Sequence, residues 1–132
     1  SATLSLRPSA THAVASPGYT AGSTVTIVNT LRYAGTATSL GWSVTLPSGW
    51  SYAGTAGPNA PTVLPTMGAA NTLVWSWSPI PPSPVIFTYT LNVPAGETSL
   101  RTLAATASVQ ASGASSASTF AVNPDPLPVA KS

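Results

Sequence analysis

The sequence predicts an all-β fold, an antiparallel β-sandwich of about 7–9 strands. Three observations carry that expectation. Apolar residues alternate with Ser and Thr along several runs, the period of a strand with one buried face. Pro and Gly fall between those runs, where turns belong. Hydrophobic residues make up 43% of the 132, with four Trp, four Tyr and two Phe, so the chain can build one core.

The elements follow in order. Residues 1–15 read as an arm or first strand: Leu4 and Leu6 alternate with Thr3 and Ser5, and Arg7-Pro8-Ser9 breaks the run before residues 12–15. Ser16-Pro17-Gly18 is a turn. In 23–33, Val25, Ile27, Leu31 and Tyr33 share one face, and Thr24, Thr26, Thr30 and Arg32 fill most of the other. Leu40, Trp42, Val44 and Leu46 alternate with Ser39, Gly41, Ser43 and Thr45. Pro47-Ser48-Gly49 then turns the chain, Pro presetting φ and Gly permitting positive φ. Residues 54–68 read as a long irregular loop, either a packed surface feature or a binding loop.

Leu73, Trp75 and Trp77 mark the next strand. The prolines of 79–84 remove main-chain donors, so this stretch is a crossover between two strands rather than a strand interior. Val85, Phe87, Tyr89, Leu91 and Val93 form the longest alternation, closed by Pro94-Ala95-Gly96. Leu103, Ala105, Ala107 and Val109 predict a strand, as do residues 115–122. Residues 16–122 are thus the sandwich, and the proline-rich 123–132 is expected to run extended without a ladder of its own.

Composition excludes whole classes of function. Glu97 and Asp125 are the only acidic side chains, His12 the only histidine and Lys131 the only lysine, and cysteine is absent. Acid–base, nucleophilic and metal catalysis all need clustered or paired groups of these types. No catalytic residue, metal site or cofactor is expected. A dilute net charge of +2 forms no basic patch for nucleic acid. No apolar run approaches the roughly 18 residues of a membrane helix. The start at Ser1, with no charged and apolar leader behind it, reads as a processed chain or a trimmed domain.

Three segments resemble a known pattern: Ala21-Gly22-Ser23-Thr24-Val25-Thr26, then Leu46-Pro47-Ser48-Gly49-Trp50-Ser51-Tyr52, then Phe87 through Gly96. Across roughly residues 18–110 they resemble the cohesin-like and conserved-repeat β-sandwich domains of bacterial surface proteins. The resemblance implies an immunoglobulin-like sandwich in a secreted or surface-displayed, non-catalytic role. Some surface sandwiches also carry a Lys–Asn isopeptide cross-link. Lys131 lies in the tail, so the resemblance does not extend to that bond.

Two candidate sites follow. Trp50 and Tyr52 follow a turn and stand where the chain is expected to leave the sheet, where an exposed aromatic pair would form a platform for a sugar ring; the competing reading is that they plug one end of the sandwich. Leu4 and Leu6 form an arm suited to pairing with a neighbour's open strand edge, each leucine worth about 1.5–3 kcal/mol when fully buried. Sandwich edges are normally guarded by charge, which this chain lacks. The expected role is therefore an extracellular structural or adhesive module, a surface-filament subunit joined by strand addition. Its partner is another copy of itself or another surface protein. The alternative is a carbohydrate-binding or cohesin-like docking module with a polysaccharide or docking partner. His12 is read as a surface residue, and Glu97–Arg101 as a surface ion pair of roughly 0–1 kcal/mol.

Overall fold

The computed structural model describes residues 9–15, 18–33, 36–78, 80–82, 84–113 and 115–131. Nine strands lie among them: β1 (Ser9–Val14), β2 (Thr24–Arg32), β3 (Ala37–Thr45), β4 (Ser51–Ala56), β5 (Thr72–Ser76), β6 (Val85–Asn92), β7 (Arg101–Ala111), β8 (Ser118–Ala121) and β9 (Leu127–Val129). They form an immunoglobulin-like antiparallel sandwich. One sheet runs β1-β2-β6-β4; the other runs β5-β3-β7-β8, with β9 also paired to β7.

Alternation decides which residues enter the core. Val25, Ile27 and Leu31 of β2 face inward, as do Leu40, Trp42 and Val44 of β3 and Val85, Phe87, Tyr89 and Leu91 of β6. Leu73, Trp75 and Trp77 complete the opposite wall. The aromatic rings meet between the sheets. Trp75 stacks on Tyr89 with centroids 4.8 Å apart, and Phe87 receives Trp42 edge-on at 5.2 Å and Trp77 at 5.3 Å. Such ring pairs add roughly 0.5–1.5 kcal/mol beyond the area they bury. Burial also pushes the Tyr89 phenol well above its usual pKa.

The stretch around Ile80–Pro82 joins β5 to β6, so the chain changes sheets where the prolines predicted a crossover. Gly49 sits at φ +87° in a turn closed by Trp50 N–H to Pro47 O, 3.1 Å, as its sequence context predicts. A second turn closes from Glu97 N–H to Pro94 O, 3.1 Å, but Gly96 does not use the left-handed region there.

Three expectations need correction. The chain does not leave the sheet after Trp50: Ser51–Ala56 is an edge strand, with a bulge between Tyr52 and Gly54. The tail does not run without a ladder: Leu127–Val129 pairs with Arg101–Leu103, and Asn123 and Lys131 bridge to Thr11 and Tyr19. His12 is not a surface residue: it is 3% exposed, facing inward from β1. Its Nε2 lies 2.6 Å from the Pro124 carbonyl, which assigns the ring proton to Nε2. Burial lowers the His12 pKa, and that hydrogen bond opposes the fall.

Phe87 touches three tryptophans and is fully buried, so its removal opens a cavity in the core. Phe87→Ala is expected to cost about 3–5 kcal/mol in denaturant unfolding. A loss below about 1 kcal/mol would contradict the packing described.

Candidate assembly surface

The two sheets leave two lateral openings, and the chain closes each with an irregular segment. On the β1 side the closure is the tail. His12 N–H donates to Asn123 O at 2.9 Å, Asn123 N–H to Ala10 O at 3.0 Å and Tyr19 N–H to Ala130 O at 2.9 Å. Leu127 and Val129 point into the core from the same segment.

On the β4–β5 side the closure is the loop 57–71. Asn59 takes the place of a strand residue against β6, its N–H donating to Ile86 O at 3.0 Å and its Oδ1 accepting Ile86 N–H at 3.1 Å. Its carbonyl accepts the Trp77 indole N–H at 2.8 Å. Val63 pairs with Ser76 on the free edge of β5, with bonds of 3.0 and 3.3 Å. Gly68 N–H and Ala69 O occupy the free edge of β4 at Tyr52, 2.9 and 2.8 Å. Gly57, at φ +118°, lets the loop leave β4 close to β6: a Cβ there would stand 2.8 Å from Phe87 Cα. The loop is a tied, packed surface feature.

That loop carries an apolar tip. Among the described residues five large hydrophobic side chains remain exposed, and four of them are Val63, Leu64, Met67 and Val74. The first three belong to the loop and Val74 to β5, so they collect on one lateral edge. The fifth, Leu100, borders a shallow cleft of about 320 Å³ with Leu46, Pro47 and Arg101. The sequence carried a sign of Val74: it sits on the Thr72–Ser76 hydroxyl face, where an apolar residue breaks the pattern. Nothing in the sequence shows that the loop leaves Val63, Leu64 and Met67 uncovered.

The expected platform is corrected. Trp50 is 0% exposed and Tyr52 1%, so neither ring offers a face to a sugar. The turn at Gly49 sends the chain back into the first sheet as β4, with both side chains inward. Trp50 receives Tyr19 edge-on at 5.4 Å, and its Nε1–H donates to Glu97 Oε1 at 2.7 Å. Arg101 Nε–H donates to the same oxygen at 2.7 Å, and Thr98 N–H to Oε2 at 3.2 Å. Glu97, expected at the surface, is 5% exposed. Arg101 first, and then the Trp50 indole, hold its carboxyl at a pKa of about 2 instead of 4.5. Tyr19 OH adds a bond to Ser99 O at 2.6 Å, which closes the cluster. Leu4 and Leu6 lie outside the described residues.

No family model matches the chain, and no curated protein matches it in sequence. In fold it is similar to the full-length major pilin SpaD of Corynebacterium diphtheriae, with a TM-score of 0.68 over 88% of this chain and 34% of the pilin, at 11% identity. It is also similar to a DUF4466 family protein from Parabacteroides merdae, with a TM-score of 0.51 over 91% of this chain and 44% of that one, at 12% identity. The chain therefore spans less than half the length of either neighbour. What they share with it is the sandwich.

Glu97 generates an acid-stability prediction. Its folded pKa lies below its unfolded value, so between pH 4.5 and about 2 the unfolded chain binds more protons. The contribution of Glu97 is complete above that window and is lost as pH falls through it. Thermal unfolding of the wild type should decline across the window, and Glu97→Gln should flatten the decline while lowering the melting temperature at neutral pH. Equal pH profiles for the two proteins would contradict the buried carboxylate.

Proposed function

We propose that this chain is a non-catalytic, extracellular structural module, the subunit of a surface filament joined by strand addition. The observation that carries this reading is the β4–β5 edge: on a charge-poor sandwich, a tied loop holds Val63, Leu64 and Met67 in solvent, and β5 beside it holds Val74. Large apolar side chains left exposed together along one edge, rather than scattered singly, mark a contact site. The fold likeness to a protein described as a major pilin supports a filament setting.

The titratable groups support a non-catalytic role. Glu97 is committed to Trp50 and Arg101, and His12 is enclosed against Pro124. Asp125 is exposed. No nucleophile–base pair is assembled from these groups. The buried rings of Trp50 and Tyr52 remove the observation on which a carbohydrate platform rested, and that alternative is not proposed.

Assembly of the intact chain, followed by analytical ultracentrifugation and negative-stain microscopy, tests the reading. Deleting residues 1–8, or combining Leu4→Asp with Leu6→Asp, should leave short polymers or none. A chain that stays monomeric at all concentrations, or a truncated chain that assembles normally, would contradict it. So would turnover of glycoside, ester or peptide substrates that is abolished by His12→Ala, Glu97→Ala or Asp125→Ala.

A further inference from the structure

We infer that β5 is the accepting edge of the filament contact, and that its occupant is the segment 1–8 of a second copy. The inference rests on the strand-addition reading above and specifies where the added strand docks.

The sandwich presents four strand edges, and they differ in how much main chain is left unpaired. In an antiparallel ladder, successive residues turn their N–H and C=O groups alternately toward and away from the neighbouring strand. Ser76 of β5 turns away from β3, since both its main-chain groups meet Val63. Leu46 N–H donates to Asn71 O at 2.6 Å, so Asn71 turns toward β3. The alternation between these fixed points leaves Thr72 and Val74 aimed off the sheet. The loop covers Ser76 and stops there. On β4 the equivalent position, Tyr52, is covered by Gly68 and Ala69, and on β1 Ala10 and His12 are covered by Asn123.

The β8 edge is the competitor. Val122 N–H donates to Ala105 O at 3.0 Å, so the same alternation turns Thr119 and Ala121 outward. The two open edges differ in side-chain chemistry. Thr119 and Ala121 offer a hydroxyl and a methyl group. Val74 is 59% exposed, and Val63, paired with Ser76 on the same face, is 56% exposed. Of these two edges, β5 is the one that joins unpaired main chain to exposed apolar surface, the combination that strand addition uses for affinity and for register.

The occupant follows from pattern and position. Leu4 and Leu6, two residues apart, fall on one face of an extended segment. In the register that sets Leu4 beside Val74, both leucines lie on the outer face with Val74 and Val63. Their role is to cover this exposed patch, since the loop 57–71 already closes the core on that side. The segment precedes β1, on the lateral side opposite β5. A donor and an acceptor on opposite sides of one domain produce a heterologous contact that propagates from copy to copy.

The native chain has no cysteine, so paired single-cysteine variants report the contact directly. Leu4→Cys is mixed with Val74→Cys, and separately with Thr119→Cys, under mild oxidation during assembly. The expected result is a cross-linked heterodimer several-fold more abundant with Val74→Cys. Val74→Lys should in addition abolish polymers while leaving the melting temperature of the dilute chain near wild type. Cross-linking at Thr119, with normal polymers from Val74→Lys, overturns the β5 assignment and leaves strand addition standing. Absence of polymers from the wild-type chain overturns both.

Discussion

The contact of Phe87 and Tyr89 with Trp42, Trp75 and Trp77 joins the two sheets, and the rest of the structure is arranged around it. Charge is too scarce here to organise a fold. Stability must come from apolar burial, and the aromatic rings supply the largest single pieces of it. Their polar edges then set what surrounds them. The Trp77 indole needs the Asn59 carbonyl, Trp75 donates to Thr55 Oγ1 at 2.9 Å, and Trp50 draws the one glutamate into the interior. Asn59 of the loop and Glu97 of the turn before β7 are thus anchored to the core, each accepting from a buried indole.

The same scarcity of charge governs the edges. Proteins with lysine to spare place it along strand edges to prevent association. This chain covers its edges with its own backbone, through the tail on one side and the loop 57–71 on the other. Closure is incomplete at Thr72 and Val74 of β5 and at Thr119 and Ala121 of β8, and exposed apolar side chains stand at the first of these. The likeness to a pilin is one of fold; the proposed role in assembly rests on the uncovered apolar edge.

Strands with a strict two-residue period were legible in the sequence. The inward faces of β2, β3 and β6 follow directly from the alternation around Ile27, Trp42 and Phe87. Elements that tertiary contacts create were not. Strand β4 has Ala53-Gly54 at its centre and a bulge, so no alternation announces it. β9 exists because Leu127 and Val129 find core positions beside β7, which no local pattern of a proline-rich tail reveals. His12 reads as exposed because a lone ionisable residue does so unless its partner is known, and Glu97 because a pair with Arg101 four residues on is what a surface also offers. Their partners, Pro124 and Trp50, stand 112 and 47 residues away. Of the assembly surface, the loop and the outward Val74 were present in the sequence, but the edge they form depends on where Val63 docks.

Residue-resolved amide hydrogen exchange along β5 tests the central claim most directly, because neighbouring amides on one strand should behave oppositely. In the dilute, unassembled chain, Leu73 and Trp75 should exchange slowly through their bonds to β3, and Ser76 through its bond to Val63. Thr72 and Val74 should exchange rapidly, and should become protected on assembly. A Val74 amide as protected as that of Trp75 in the dilute chain, or one unchanged when polymers form, would contradict the account.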